Sequence, residues 1–167
     1  MAASGAAALE QEGGNLEGKY LTFALGKEEY GIGILKVREI IGLMEITAVP
    51  HTPSFIKGVI NLRGRVIPVL DLRIKFGMPE REYDERTCII VVEVQGYSGT
   101  VQVGMLVDSV SEVLNIGAEE IEPPPAFGGS TDTANIMGMA KVKGKVKILL
   151  DTDRVIGKAT LEQLADL

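Results

Sequence analysis

A stretch of twenty residues occurs twice, and this duplication constrains the fold more than any other feature of the sequence. Residues 58–77 (GVINLRGRVIPVLDLRIKFG) align without a gap on residues 138–157 (GMAKVKGKVKILLDTDRVIG). A fainter echo lies upstream, where VREII at 37–41 matches VSEVL at 110–114. A duplication of this length predicts two copies of one small structural unit. The identical pairs in the longer repeat are Gly58/Gly138, Gly64/Gly144, Val66/Val146, Leu70/Leu150, Asp71/Asp151 and Gly77/Gly157.

Each copy has the pattern of β-hairpins joined by short turns. Apolar residues alternate with others over residues 20–25 and 30–34, and Gly26-Lys27 between them marks a turn. The spacing in LKVREIIG, residues 35–42, favours one or two helical turns that end at a glycine. No long helix is indicated before the C-terminus, so the fold class is mainly β, as two small barrels with short helices.

The residues shared by the two copies are assigned structural roles. Gly64 and Gly144 lie at the hairpin tips, where a positive φ suits glycine. Asp71 and Asp151 each precede a glycine by six positions, which predicts an N-cap and a C-terminal glycine around one short helix.

The segment boundaries follow from the same patterns. Residues 1–18, rich in Ala, Gly and Glu, are interpreted as a mobile tail. Residues 19–157 form one domain, with a first barrel at about 19–82 and a second at about 83–157. The leucine spacing in residues 158–167 predicts a C-terminal helix, with Thr160 and Gln163 as its capping box.

Composition excludes several classes of function. The net charge of −6 disfavours a nucleic-acid partner, which requires clustered cations. No apolar run approaches the ~20 residues that span a bilayer, so membrane insertion is not expected. A single cysteine rules out an intrachain disulfide, and the simplest location is a reducing cytoplasm.

Candidates for catalysis or metal binding are few. His51 is the only histidine, so it has no second histidine to complete a metal site. Cys88 could be a nucleophile only if the fold brought it to His51, which leaves a small Cys/His enzyme as an alternative. A generic SH3-like peptide-binding module is a further alternative, but the absence of tryptophan counts against it. We therefore expect a binding module with no catalytic residue, metal or cofactor.

The hairpin tips differ between the copies in a way that indicates binding. Asn61 and Arg63 in the first copy face Lys141 and Lys143 in the second. Arginine forms planar, bidentate contacts that lysine cannot form. Arg63 is thus the functional candidate, and Arg65 is interpreted as a solvated turn residue.

Three stretches resemble the CheW-like family of bacterial chemotaxis adaptors. They are EEYGIGILKVREI (28–40), TPSFIKGVINLRGRVIPVLDLRIKF (52–76) and VSEVLNI (110–116). The resemblance covers about residues 19–157 and implies two SH3-like five-stranded barrels around a shared core. It implies partners of two kinds, the cytoplasmic tip of methyl-accepting chemoreceptors and the regulatory domain of the histidine kinase CheA. An isolated regulatory domain of such a kinase remains an alternative.

The resemblance also implies site residues. The receptor is expected in a groove between the barrels, and the kinase at a barrel end. The receptor set is Val37, Glu39, Asn61, Arg63, Val110 and Val113, and the kinase set is Phe55 and Phe127.

Overall fold

The structure is a computed structural model that describes residues 16–96, 99–124 and 135–165. Short helices follow some of the strands: Leu72–Lys75, Thr152–Ile156 and Lys158–Ala165, with 3₁₀ turns at Ile34–Lys36 and Ala118–Glu120. The strands in this part of the chain are β1 (Gly18–Leu25), β2 (Glu28–Gly33), β3 (Val37–Gly42), β4 (Ile56–Leu62), β5 (Arg65–Asp71), β6 (Cys88–Gly96), β7 (Gly99–Val107), β8 (Ser109–Ile116), β9 (Ile121–Glu122), β10 (Ile136–Val142) and β11 (Lys145–Leu150).

The strands form two sheets, which confirms the prediction of a mainly β fold with two SH3-like subdomains. Barrel I is built on a five-stranded sheet in the order β3-β6-β7-β5-β4. Barrel II is built on a six-stranded sheet in the order β8-β1-β2-β11-β10-β9. The sixth strand, β9, has only two residues, and its counterpart in barrel I is a single bridge between Thr47 and Val59.

The two barrels are not the consecutive segments 19–82 and 83–157 that the sequence predicts. The first hairpin, β1–β2, belongs to barrel II, and the hairpin β6–β7 belongs to barrel I. Parallel pairing accounts for this exchange: β5 pairs with β7 at Val69–Gly104, and β11 pairs with β2 at Leu149–Gly31. Each copy of the repeat therefore gives its N-terminal hairpin to the barrel of the other copy. The repeat shows which strands are equivalent, but not which copy each strand pairs with.

Three apolar clusters fill the fold. One lies within barrel I and one within barrel II, and the largest is the shared core, which takes buried side chains from both sheets. Phe23 of β1 and Met105 of β7 are fully buried in the shared core, although they belong to different barrels. Because both hairpins cross this core, burial of apolar surface stabilises the two barrels as one unit.

Two local predictions are wrong. Residues 37–42 form strand β3 rather than helical turns, and only the 3₁₀ turn Ile34–Lys36 precedes it. The valine and isoleucines in this segment favour a strand, and pairing with β6 decides the outcome. The C-terminal helix begins at Lys158, so buried Thr160 lies within it and is not the cap.

The repeated glycines Gly58 and Gly138 lie where a further strand crosses the backbone. Gly58 has a φ of 142°, and a Cβ atom there would lie 2.0 Å from the carbonyl oxygen of Thr47. A Cβ atom on Gly138 would lie 2.9 Å from the carbonyl oxygen of Glu122. Both glycines sit at an irregularity in strand register, after Ile56 in β4 and Ile136 in β10. The duplication thus preserves a backbone crossing that excludes side chains.

The motif PSF at 53–55 also matches PAF at 125–127, which would make Phe127 the equivalent of Phe55, but backbone hydrogen bonds give a different alignment. The amide of Asp71 donates to the carbonyl of Phe55 at 2.7 Å, and the amide of Asp151 donates to the carbonyl of Asn135 at 2.9 Å. Asn135, rather than Phe127, therefore occupies the position equivalent to Phe55. Phe127 itself lies outside the described residues.

Candidate functional site: the Arg63 tip

The tip of the β4–β5 hairpin is a two-residue turn with both φ angles positive. Arg63 has a φ of 54° and Gly64 a φ of 87°, between the paired residues Leu62 and Arg65. Positive φ at both positions is the signature of a type I′ turn, whose twist matches that of the flanking strands. Lys143 and Gly144 repeat it in barrel II with φ angles of 54° and 79°.

The side chain of Asn61 supports this turn. Its Oδ1 accepts a hydrogen bond of 2.8 Å from the backbone amide of Gly64. A non-glycine residue in the left-handed region costs roughly 1 kcal/mol or more, and this hydrogen bond helps to offset that cost for Arg63. Asn61 thus has a structural role at the tip, as the residue that fixes where Arg63 projects.

Glu39 holds the guanidinium group of Arg63. Nη2 of Arg63 donates to Oε2 of Glu39, which joins the tip of barrel I to strand β3. The Arg63 side chain remains 70% exposed and that of Glu39 32% exposed. Exposed ion pairs contribute only about 0–1 kcal/mol to stability. The main effect of this pair is therefore to orient the Arg63 side chain.

The predicted valines divide into two kinds. Val37 and Val110 are half-buried and pack against the shared core, so core packing accounts for both of them. Val113 is 51% exposed on β8, the edge strand of barrel II. The structure brings Asn61, Glu39 and Arg63 together, but no hydrogen bond or ion pair among the described residues joins them to β8.

An exposed leucine escaped the sequence reasoning. Leu35, in the 3₁₀ turn between β2 and β3, is 93% exposed. It borders a cleft of about 420 Å³ whose walls include Ile34 and Met137. Contiguous exposed apolar surface marks interaction sites, so Leu35 together with the neighbouring Ile34 and Met137 is a candidate contact for a partner. The one or two helical turns predicted over residues 35–42 included Leu35, and that interpretation gave no indication of its exposure.

Phe55 is less available for contact than the sequence suggests. Its ring is half-buried against the shared core, and Nζ of Lys75 lies 4.2 Å from its centroid. The cation covers one face of the ring, as in other cation–π pairs. Phe55 therefore offers little apolar surface to a partner in this arrangement.

The aspartates of the repeat have the structural role predicted for them, with one addition. Oδ1 of Asp71 accepts a 3.2 Å hydrogen bond from the amide of Ile74, and Oδ1 of Asp151 accepts one of the same length from the amide of Arg154. Asp71 is also buried and accepts a 2.8 Å hydrogen bond from the hydroxyl of Tyr83. Burial, followed by this hydrogen bond and the Asp71 charge, raises the pKa of Tyr83 above its usual range.

The two residues suggested for an enzyme lie in different elements of the fold. Cys88 begins β6, and its Sγ donates to the carbonyl of Arg86 at 3.3 Å. His51 is exposed in a turn with a φ of 63°, and it shares no hydrogen bond with Cys88 among the described residues. No cluster of metal-ligating side chains occurs in that part of the chain either. The helices described there reach eight residues at most, so none is able to span a bilayer.

Comparison with known proteins agrees with this architecture. The family model of the CheW-like domain matches residues 19–160. The chain belongs to the CheW-like family. It is 44% identical over 138 residues to the chemotaxis protein CheW of Klebsiella aerogenes, and this alignment covers 83% of the present chain and 81% of that protein. It is 33% identical to the chemotaxis protein CheW of Bacillus subtilis over 140 residues, with coverage of 84% and 87%.

A solved structure shows the same fold in this family. The scaffolding protein CheW of Thermoanaerobacter tengcongensis superposes with a TM-score of 0.76 at 39% identity, covering 86% of this chain and 95% of that one. A more distant relative, the protein FrzA of Myxococcus xanthus, is 32% identical over 77% of each chain. As a CheW-like protein, the chain is a chemotaxis adaptor, and the alternative of an excised kinase domain is not favoured.

Proposed function

We propose that this CheW-like adaptor couples the cytoplasmic tip of chemoreceptors to the histidine kinase CheA in the cytoplasm, by binding alone. The observation that carries the proposal is the Arg63 tip: an exposed guanidinium, held in the left-handed region and oriented by Glu39. A side chain kept in a costly conformation yet left exposed is available for an external contact. The absence of a hydrogen bond between Cys88 and His51 among the described residues gives no support to the enzyme alternative.

The receptor surface is centred on Arg63 and Glu39. The helical tip of the receptor supplies side chains that this pair recognises through charge-assisted hydrogen bonds, and the exposed Val113 adds an apolar contact across the groove between the barrels. Val37 and Val110 support the groove from the shared core, and Asn61 holds the turn. The assignment of Glu39, Arg63 and Val113 follows the resemblance, and the exposure of Arg63 and Val113 supports it.

The kinase surface is separate from the receptor surface, because an adaptor must hold two partners at once. Leu35 borders a cleft whose walls include the apolar Ile34 and Met137, and neither Arg63 nor Glu39 lines that cleft. Phe55 and Phe127 stay predictions for this role, although Lys75 covers Phe55. We place the centre of the kinase contact at Leu35, since it offers the larger exposed apolar area.

A co-sedimentation experiment with two selective variants tests both surfaces. Receptor signalling fragments and the kinase regulatory domain are offered together, and the bound fraction of each is measured. We expect Arg63→Glu to weaken retention of the receptor by about 10-fold or more, the usual effect of losing a charge-assisted hydrogen bond, while the kinase domain is retained. We expect Leu35→Asp to show the opposite selectivity.

Matched controls make the result specific. Arg65→Glu makes the same charge reversal two residues from Arg63, at an exposed side chain without an ion pair among the described residues. Val146→Asp is the control for Leu35→Asp, because it places a carboxylate at another exposed apolar residue, whose exposed fraction is 45%. Both controls should retain both partners, with thermal melts close to that of the unaltered protein. Equal losses for Arg63→Glu and Arg65→Glu would show that general charge, rather than the Arg63 tip, holds the receptor.

A further inference from the structure

A second cleft, of about 400 Å³, lies between the helical turn Leu72–Lys75 and the sheet of barrel II. Its walls combine apolar side chains, those of Phe76, Ile136 and Ile148, with the polar side chains of Asn135 and Arg154. Tyr30 closes one end, and its ring lies 5.9 Å from that of Phe76. A volume of 300–1,000 Å³ that brings apolar side chains together with a few polar groups is typical of small-molecule sites.

The polar group of interest in this cleft is the ammonium of Lys75. Its side chain is half-buried, and burial lowers its pKa. No carboxylate of the described residues forms an ion pair with it, and it lies 4.2 Å from the centroid of the Phe55 ring. Arg154 also lines the cleft, but its Nε lies 3.7 Å from Oδ2 of Asp151. A partly desolvated cation without a counter-ion is unfavourable, and a bound anion would relieve it.

Comparison of the two copies shows that the fold does not require this lysine. The equivalent position in the second copy is Val155, which is buried at 1% exposure and lines the same cleft. An apolar residue therefore satisfies the helical turn equally well. Lys75 places a charge where the architecture accepts a valine, which points to a role outside packing.

We propose that this cleft binds a small organic carboxylate. Its apolar body lies against Phe76 and Ile148, and its carboxylate accepts hydrogen bonds from the Lys75 ammonium and the Tyr30 hydroxyl. Burial, followed by the charge of Glu28, raises the pKa of Tyr30, so its hydroxyl keeps its proton and can donate to the ligand. The proposal does not depend on the receptor and kinase surfaces, because neither Arg63 nor Leu35 lines this cleft.

The test is a titration of the full chain, labelled with ¹⁵N, with 3-phenylpropionate and with its neutral analogue 3-phenylpropanamide. We expect the carboxylate to shift the backbone amide signals of Tyr30, Phe76 and Ile148. The affinity for the neutral amide should be lower by about 10-fold or more, because the amide cannot form the charge-assisted hydrogen bonds.

Two lysine variants identify the source of the preference. Lys75→Met keeps the apolar stem and should reduce the affinity for the carboxylate to that for the amide, while the affinity for the amide stays unchanged. That unchanged affinity also shows that the cleft remains folded. Lys145→Met removes one positive charge from an exposed hairpin tip and should change neither affinity.

Three results would overturn the proposal. One is equal affinity for the two compounds, and another is an equal loss in both lysine variants. The third is an absence of shifts at the cleft with either compound. If Lys75→Met instead reduces retention of the receptor or kinase fragment while 3-phenylpropionate fails to bind, the cleft serves a protein partner and the small-molecule site is refuted.

Discussion

Replacing Gly58 with alanine tests the backbone crossing in barrel I. The added Cβ would lie 2.0 Å from the carbonyl oxygen of Thr47, whereas carbon–oxygen contacts between strands are about 3.3 Å or longer. The crossing segments must therefore separate by roughly 1 Å. That movement strains the two hydrogen bonds between Thr47 and Val59, of 2.8 and 2.9 Å, which contribute about 0.5–1.5 kcal/mol each. Alanine at a φ of 142° adds about 1–3 kcal/mol of backbone strain.

These terms together predict a loss of about 2–6 kcal/mol in the free energy of unfolding, measured by urea denaturation. At ~2–4 °C per kcal/mol for a chain of this size, the melting temperature should fall by roughly 5–20 °C. Gly138→Ala should cost about 1–3 kcal/mol, since its contact is 2.9 Å and its φ is unstrained. Gly33→Ala is the matched control, with nothing within 4 Å and a φ of −59°. If Gly58→Ala unfolds at the same urea concentration as Gly33→Ala, the close crossing is not present in solution.

Two further predictions concern the buried Asp71. Tyr83→Phe should lower the free energy of unfolding by about 1–2 kcal/mol at pH 7, since Oδ2 of Asp71 loses its 2.8 Å hydrogen bond. Because the pKa of Tyr83 is raised in the folded state, the unfolded chain loses the hydroxyl proton first, at a pH near 10. The free energy of unfolding should therefore fall above about pH 10, and it should fall less steeply in Tyr83→Phe. Asp71→Ala should cost more than Asp151→Ala, about 2–4 against 1 kcal/mol, since both lose an N-cap but only Asp71 also leaves Tyr83 unpaired. Parallel urea titrations of the four chains decide both points, and equal costs for the two aspartates would contradict the added role of Tyr83.

The local features of the fold were accessible from the sequence because they depend on neighbouring residues. The glycine at each hairpin tip and the aspartate before each helical turn can be identified from spacing alone. Strand β3 was missed because the apolar spacing of VREIIG also suits a helix, and pairing with β6, about fifty residues away, determines the strand. The exchange of hairpins is also a long-range property, and no local pattern in either copy specifies it.

The candidate site was predictable to a similar extent. Comparing the two copies singled out Asn61 and Arg63, since these positions differ where the surrounding hairpin is the same. The structure adds that Asn61 holds the turn, and that Glu39 reaches Arg63 from a strand 24 residues away in sequence. The burial of Val37 and Val110 and the exposure of Leu35 follow from packing between the barrels, which composition does not reveal.

The exchange of hairpins has a mechanical consequence for an adaptor. Two barrels folded from consecutive segments would be joined by a single tether, about which they could swivel. In this chain each barrel contains a hairpin of the other copy, and both hairpins are anchored by ladders of backbone hydrogen bonds. A displacement applied at the Arg63 tip therefore reaches β7 through the β5–β7 ladder, and β7 is followed almost directly by β8 of the opposite barrel. The fold itself thus restrains the spacing between surfaces on the two barrels.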